Sequence, residues 1–261
     1  MTPTPEVIQE QIAGPAGSLH VDDGGTGGLP VVFVHSFSGS TAHWSKQLAH
    51  LRSERRAVAL DLRGHGQSES PQGDDYAVES LAGDIAAVVD DLDLQRFVLV
   101  GHSMGGAAAI AYAGAHPERV AGLVLVGTPG KTPANESDKI MKAMEADYDK
   151  VTEGYWNQLL EGAQPQVQKQ VRGDMAKIPQ DAAVAMIRAV FEFDPLPALR
   201  AYKGPKLVVN TPHGDTPNAL HRQIPDLPYK QIAGTSHWLQ MDKPEEFDRI
   251  LDGFLAAPEL R

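Results

Sequence analysis

Short apolar runs rich in β-branched residues alternate along this chain with longer segments whose apolar positions recur at helical spacing. The runs at 30–35, 56–61, 97–101, 122–127, 206–210 and 229–233 each predict a strand. Several are apolar at every position, as expected of strands covered by helices on both faces. The segments 42–51, 78–92, 105–116 and 245–256 carry the helical pattern between and after them. This alternation predicts an α/β fold with a mostly parallel, doubly wound sheet. Ahead of it, alternating segments on either side of "GPAG" predict a hairpin with a Gly-rich exit at "DDGGTGG".

From 131 to 202 the rhythm changes. "SDKIMKAMEADYDKVTEGYWNQLL" and "DAAVAMIRAVFE" are helical in pattern, and no convincing strand interrupts them. A helical insertion of this length predicts a lid laid over the carboxyl ends of the strands, where open α/β sheets bind ligands. The core is then 1–130 together with 203–261. A length of 261 residues with 42% hydrophobic content fits that single core with its insertion better than two full domains.

Charge and composition narrow the partners. Lys and Arg total 23 against 34 Asp and Glu, and the net charge of -11 disfavours nucleic acid and anionic membrane surfaces, which leaves a small-molecule ligand. No apolar run approaches the roughly 18 residues of a membrane span. The opening "MTPTPEVIQEQIAG" lacks the basic and apolar regions of a signal peptide, so a cytoplasmic location is expected. The absence of cysteine excludes disulfides, thiolate nucleophiles and cysteine-ligated metals. No histidine has carboxylate partners at ligand spacing, so neither a metal nor a cofactor is expected.

The chemistry concentrates in "VLVGHSMGG". A serine hydroxyl is a poor nucleophile unless it is held exposed at a fixed angle beside a base. "GHSMG" does this where a strand ends on a strained residue and a helix begins at once. Gly101 and Gly105 relieve the crowding there, and the N–H of Met104 points where an oxyanion would form.

With "FVHSFSGS", "DLRGHGQS", "GHSMGG" and "GTSHWLQMDKPEEF" in place, the chain resembles the α/β-hydrolase fold superfamily. It is similar to the branch of microbial carboxylesterases, enol-lactonases, C–C bond hydrolases and cofactor-free haloperoxidases. The resemblance implies that Ser103 is the nucleophile. It sets the chain apart from relatives with Asp at the elbow, such as haloalkane dehalogenases and epoxide hydrolases. It implies His237, in "GTSHW", as the base, and an acid in the loop after the penultimate strand. Asp215 is the first carboxylate of that loop, with Asp226 and Asp194 as the remaining candidates. The loop departs from the family spacing by about one residue, and Asp215 could instead cap a turn in "HGDTPN".

The family's His-Gly pair is here His35-Ser36, and the N–H of Phe37 is the implied second oxyanion donor beside Met104. The Ser36 hydroxyl would hold that loop by a local backbone bond, act as a third donor, or have no role. Asp61 and Arg63 in "DLRGHGQS" are expected to be structural. Trp238, Phe37 and Trp156 are candidates to touch substrate; Trp156, Met141, Met144, Phe191 and Phe193 could equally be lid core. The expected activity is hydrolysis of a small carboxylic ester or lactone by a Ser-His-Asp triad through an acyl-enzyme. C–C hydrolysis, peracid formation, and a slow-turnover ligand receptor are the alternatives.

Overall fold

Alternate residues of the inner strands face two separate cores, and this period of two is what builds the molecule. In β3 (Val31–Val34), Val32 and Val34 join one apolar cluster while Val31 and Phe33 join the other. The computed structural model describes residues 7–260. Its hairpin β1 (Val7–Gly14) and β2 (Gly17–Gly24) leads into β3, β4 (Ala57–Leu60), β5 (Phe97–His102), β6 (Val120–Val126), β7 (Lys206–Asn210) and β8 (Tyr229–Gln231). These form one sheet of order β1-β2-β4-β3-β5-β6-β7-β8. Pairing is parallel from β4 through β8, and antiparallel at β1–β2 and β2–β4.

The predicted strands and helices are present with shifted ends. Strand β6 starts before the predicted 122 because Phe97 pairs with Val120 and Val98 with Gly122, so Ala121 forms a bulge. The helix predicted at 42–51 opens as a 3-10 turn, Thr41–Trp44, before α1 (Ser45–Leu51). On one face, α1 and α11 (Pro244–Leu255) contribute Leu48, Phe247 and Leu251 to a core with Phe33 and Val100. On the other, α2 (Val78–Asp91) and α3 (Met104–Ala115) place Leu81, Ile85 and Ile110 against Val34 and Leu99.

Between β6 and β7 the chain is helical, as its pattern suggests. It forms α4 (Ala134–Ala146), α5 (Tyr148–Leu159), α6 (Pro165–Met175), α7 (Gln180–Glu192) and α8 (Pro195–Ala201). Two short helices lie either side of β8: α9 (Leu220–Gln223) before it, and α10 (Leu239–Asp242) at the end of the loop after it. Among the described residues no helix is long and apolar enough to cross a membrane.

Candidate active site

The last strand residue of β5 is His102 and the first helical residue of α3 is Met104. Ser103 alone makes the turn between them, at φ 52 and ψ -114. A non-glycine residue held there stores on the order of 1–3 kcal/mol of backbone strain, which the surrounding packing must offset. That packing depends on glycine. A Cβ on Gly101 would sit 2.5 Å from the Gly105 carbonyl oxygen, and one on Gly105 would sit 2.2 Å from that of His35. The Ser103 N–H donates to the Val126 carbonyl at 2.8 Å, which ties the elbow to the end of β6. The N–H of Met104, first in its helix, has no acceptor within that helix.

His237 arrives on the loop between β8 and α10, and three groups fix its half-buried ring. The His102 ring lies 4.8 Å away between centroids, and that of Trp238 lies 5.4 Å away and nearly perpendicular. Gly127, at φ 52, leaves the room the imidazole occupies: a Cβ there would fall 2.8 Å from Cε1 and 3.1 Å from Nδ1. Gly127 follows Val126, the residue that holds Ser103. The Ser103 backbone and the His237 ring thus both lie against the end of β6.

His102 works through the backbone. Its Nε2–H donates to the His237 carbonyl at 3.0 Å while Nδ1 accepts from Gln240 at 3.2 Å, an arrangement that requires the neutral ring. Burial keeps His102 well below its ordinary pKa, and burial likewise lowers His237 to about 4.

Asp215 does not meet this histidine. Its Oδ1 accepts from His221 Nε2 at 2.9 Å and Arg222 Nε at 2.7 Å, and its Oδ2 from Arg222 Nη2 at 2.7 Å. The Arg222 bonds, followed by that of His221, pull the carboxyl down to about 2. The expectation that Asp215 orients His237 is therefore corrected. A bidentate guanidinium seven residues along the chain takes both oxygens, which the loop's position after β7 does not reveal. The other candidates are no nearer the role. Asp194 caps α8 by accepting from the Leu196 N–H at 3.0 Å, and Asp226 occupies a turn at φ 63. Among the described residues no side chain is hydrogen-bonded to either ring nitrogen of His237.

The loop after β3 faces the elbow. Leu62 N–H donates to His35 Nε2 at 3.0 Å, so His35 carries its proton on Nδ1 and gives it to the Ser36 carbonyl at 2.7 Å. Ser36 is buried, and its hydroxyl donates to the Phe37 carbonyl at 3.2 Å, the local backbone bond foreseen as one of its roles. Phe37 is half-buried, and Trp156 of α5 stacks on it at 5.2 Å with 4° between planes.

Trp238 departs from its expected place. It is 1% exposed and packs with Leu160, Val167 and Val171 of the helical segment, so it supports the histidine loop and presents no surface to a ligand. Met141 and Met144 are buried as well. In "DLRGHGQS", Asp61 accepts backbone N–H groups from Thr41 at 2.6 Å and Gln67 at 2.8 Å, and Arg63 pairs with buried Asp84 at 2.7 Å. Both are structural, though not partners of each other. Sequence reasoning passed over Asp242 and Leu159, which hold the histidine loop through backbone groups. It also passed over the His43–Asp174 contact at 3.1 Å that joins α6 to the core.

Comparison with known proteins agrees with this architecture. The profile of the α/β hydrolase fold family matches residues 30–177. The chain is 43% identical over 106 residues to 2-hydroxy-6-oxo-2,4-heptadienoate hydrolase of Pseudomonas putida, covering 40% of this chain and 38% of that protein. It spans less than half the length of the first curated relatives it matches. A thermophilic esterase from Thermogutta terrifontis superposes with a TM-score of 0.81 at 26% identity, over 95% of this chain and 98% of that one. The enol-lactonase of Burkholderia xenovorans LB400 gives 0.77 at 25% identity, over 95% and 100%.

Proposed function

Because this chain belongs to the α/β-hydrolase fold family, we propose that it is a serine hydrolase cleaving a small carboxylic ester or lactone through an acyl-enzyme on Ser103. The observation that carries the reading is the strained serine at the start of α3, with the imidazole of His237 lodged against Gly127 beside it. In this reading His237 is neutral above its lowered pKa of about 4 and takes the Ser103 proton as Oγ attacks the carbonyl. The N–H groups of Met104 and Phe37 receive the oxyanion, aided by the positive end of the α3 dipole. The imidazolium then protonates the leaving oxygen. Water, deprotonated by the same ring, releases the acid and restores Ser103.

The unpartnered ring bears on the substrate. An imidazolium without a carboxylate beside it is costly in a buried setting, so the site suits acyl groups whose leaving oxygen needs little help. Esters and strained lactones meet that condition better than amides. The esterase and enol-lactonase among the structural relatives support the same choice. The helical segment serves as the lid, with Trp156 over Phe37 bounding the acyl site. C–C bond hydrolysis is the second reading, favoured by the 43% identity to 2-hydroxy-6-oxo-2,4-heptadienoate hydrolase.

The test is turnover of a p-nitrophenyl ester series of increasing acyl length, alongside a lactone panel, for wild type and Ser103→Ala. Rapid turnover of short esters or lactones, abolished in the variant, is expected. An inert wild type on every ester and lactone, with cleavage of a vinylogous diketone, would favour the C–C reading.

A further inference from the structure

Among the described residues no carboxylate is bonded to the ring of His237, so its aim depends on the backbone that carries it. That backbone is held at three successive residues. Of three successive N–H groups, that of Ser236 donates to Asp242 Oδ2 at 2.8 Å, that of His237 to the Leu159 carbonyl at 2.9 Å, and that of Trp238 to Ser236 Oγ at 3.2 Å. The Ser236 hydroxyl in turn donates to Asp242 Oδ2 at 2.6 Å. The second oxygen of Asp242 accepts the N–H of Gln164, immediately before α6, at 2.7 Å. Asp242 is 8% exposed. One buried carboxylate therefore joins the histidine loop to the α5–α6 connection, and the Leu159 carbonyl at the end of α5 holds the histidine itself. Gly162, at φ 83, lets the two backbones approach: a Cβ there would lie 3.2 Å from the Thr235 carbonyl oxygen.

We infer that Asp242 is the positioning residue of the base, acting through the Ser236 backbone and the α5–α6 connection in place of a carboxylate on the ring. This rests on the reading of Ser103 and His237 as nucleophile and base. The same connection reaches the other half of the site, since α5 also carries Trp156 onto Phe37. Loss of the Asp242 links would free the loop to tilt the imidazole while leaving the acyl site and its contacts intact. The effect belongs in kcat and not in KM, because a ring displaced by about 1 Å costs on the order of 100-fold in rate without removing a substrate contact.

Two variants separate positioning from folding. Asp242→Asn keeps the shape but has one acceptor oxygen, so it can satisfy Ser236 or Gln164 and not both. Gln164→Pro removes the N–H on the far side and leaves the Asp242–Ser236 bonds in place, at a position whose φ of -61 suits proline. Both are assayed with p-nitrophenyl acetate, with kcat expressed per serine titrated by a fluorophosphonate so that unfolded molecules are not counted. Asp242→Asn is expected to lower kcat by about 10- to 100-fold, and Gln164→Pro by about 3- to 10-fold, each with KM within about twofold.

Values of kcat per titrated serine within twofold of wild type in both would overturn the inference, even if melting temperatures fall. If Asp242→Asn does not fold, Gln164→Pro decides alone. Ser103→Ala is the control for the underlying reading: its inactivity beside two unimpaired variants overturns this inference only, whereas its continued activity overturns both.

Discussion

Replacing Gly127 with alanine tests the placement of His237, the proposed base, because this glycine makes the space in which the ring sits. The added methyl would fall 2.8 Å from Cε1 and 3.1 Å from Nδ1 of His237, while His102 Cδ2, at 3.5 Å, is an ordinary contact. Carbon atoms prefer about 3.5–4.0 Å, so the imidazole must retreat by about 0.7 Å or more. Alanine at φ 52 also carries left-handed strain of about 1–2 kcal/mol. The strain is expected to lower Tm by a few degrees, at about 2–4 °C per kcal/mol for a domain of this size. The displaced ring is expected to lower kcat by about 10- to 100-fold with KM little changed. Initial rates on p-nitrophenyl acetate and a thermal melt measure both effects. A melt that drops as expected while kcat stays within twofold of wild type would refute the placement of His237 beside Ser103.

Asp215→Asn is expected to leave kcat within about threefold, where loss of a triad carboxylate costs about 10⁴-fold; steady-state rates on the same ester decide. For His237, the base must be neutral, so kcat/KM should hold well below pH 6 and fall only through the lowered pKa of about 4; a limb near 6.5 in the pH profile would contradict the burial argument. Folding stability follows the same sign. Burial lowers His35 and His65 to about 3, so the stabilisation is complete above about pH 6.5 and is lost as pH falls through the range in which only the unfolded chain takes up protons, at up to about 1.4 kcal/mol per pH unit for each ring. Asp84→Ala removes the fully buried partner of Arg63 and is expected to cost about 3 kcal/mol in denaturant unfolding, with a far smaller effect for Asp75→Ala, whose carboxylate is 55% exposed.

The strands and the elbow were legible in the sequence because burial on both faces and a Gly-flanked serine leave local signatures. The run "FVLVGHSMGG" states where β5 ends and where α3 must begin, and the structure adds only the φ of Ser103. The position of His237 on the loop after the last strand was legible too. The role of Asp215 was not, because what decides it is Arg222 and His221, whose side chains return along α9 to reach it. Asp242 left no signature either. Its partners are the N–H and hydroxyl of Ser236 and the N–H of Gln164, the last of them 78 residues away, and backbone donors carry no sequence mark. Trp238 beside the base looked like a ligand contact, and only the packing of α5 and α6 reveals that it faces Val167 and Val171.

If Ser103 forms a covalent acyl-enzyme, that species can be trapped. The protein would be mixed with p-nitrophenyl acetate, quenched in acid within the first turnovers, digested and analysed by peptide mass spectrometry. An acetyl group is expected on the peptide containing Ser103 in wild type, with no such adduct and no turnover in Ser103→Ala. Sustained ester turnover by Ser103→Ala, or an acetyl group found on another residue with Ser103 unmodified, would contradict an acyl-enzyme on Ser103.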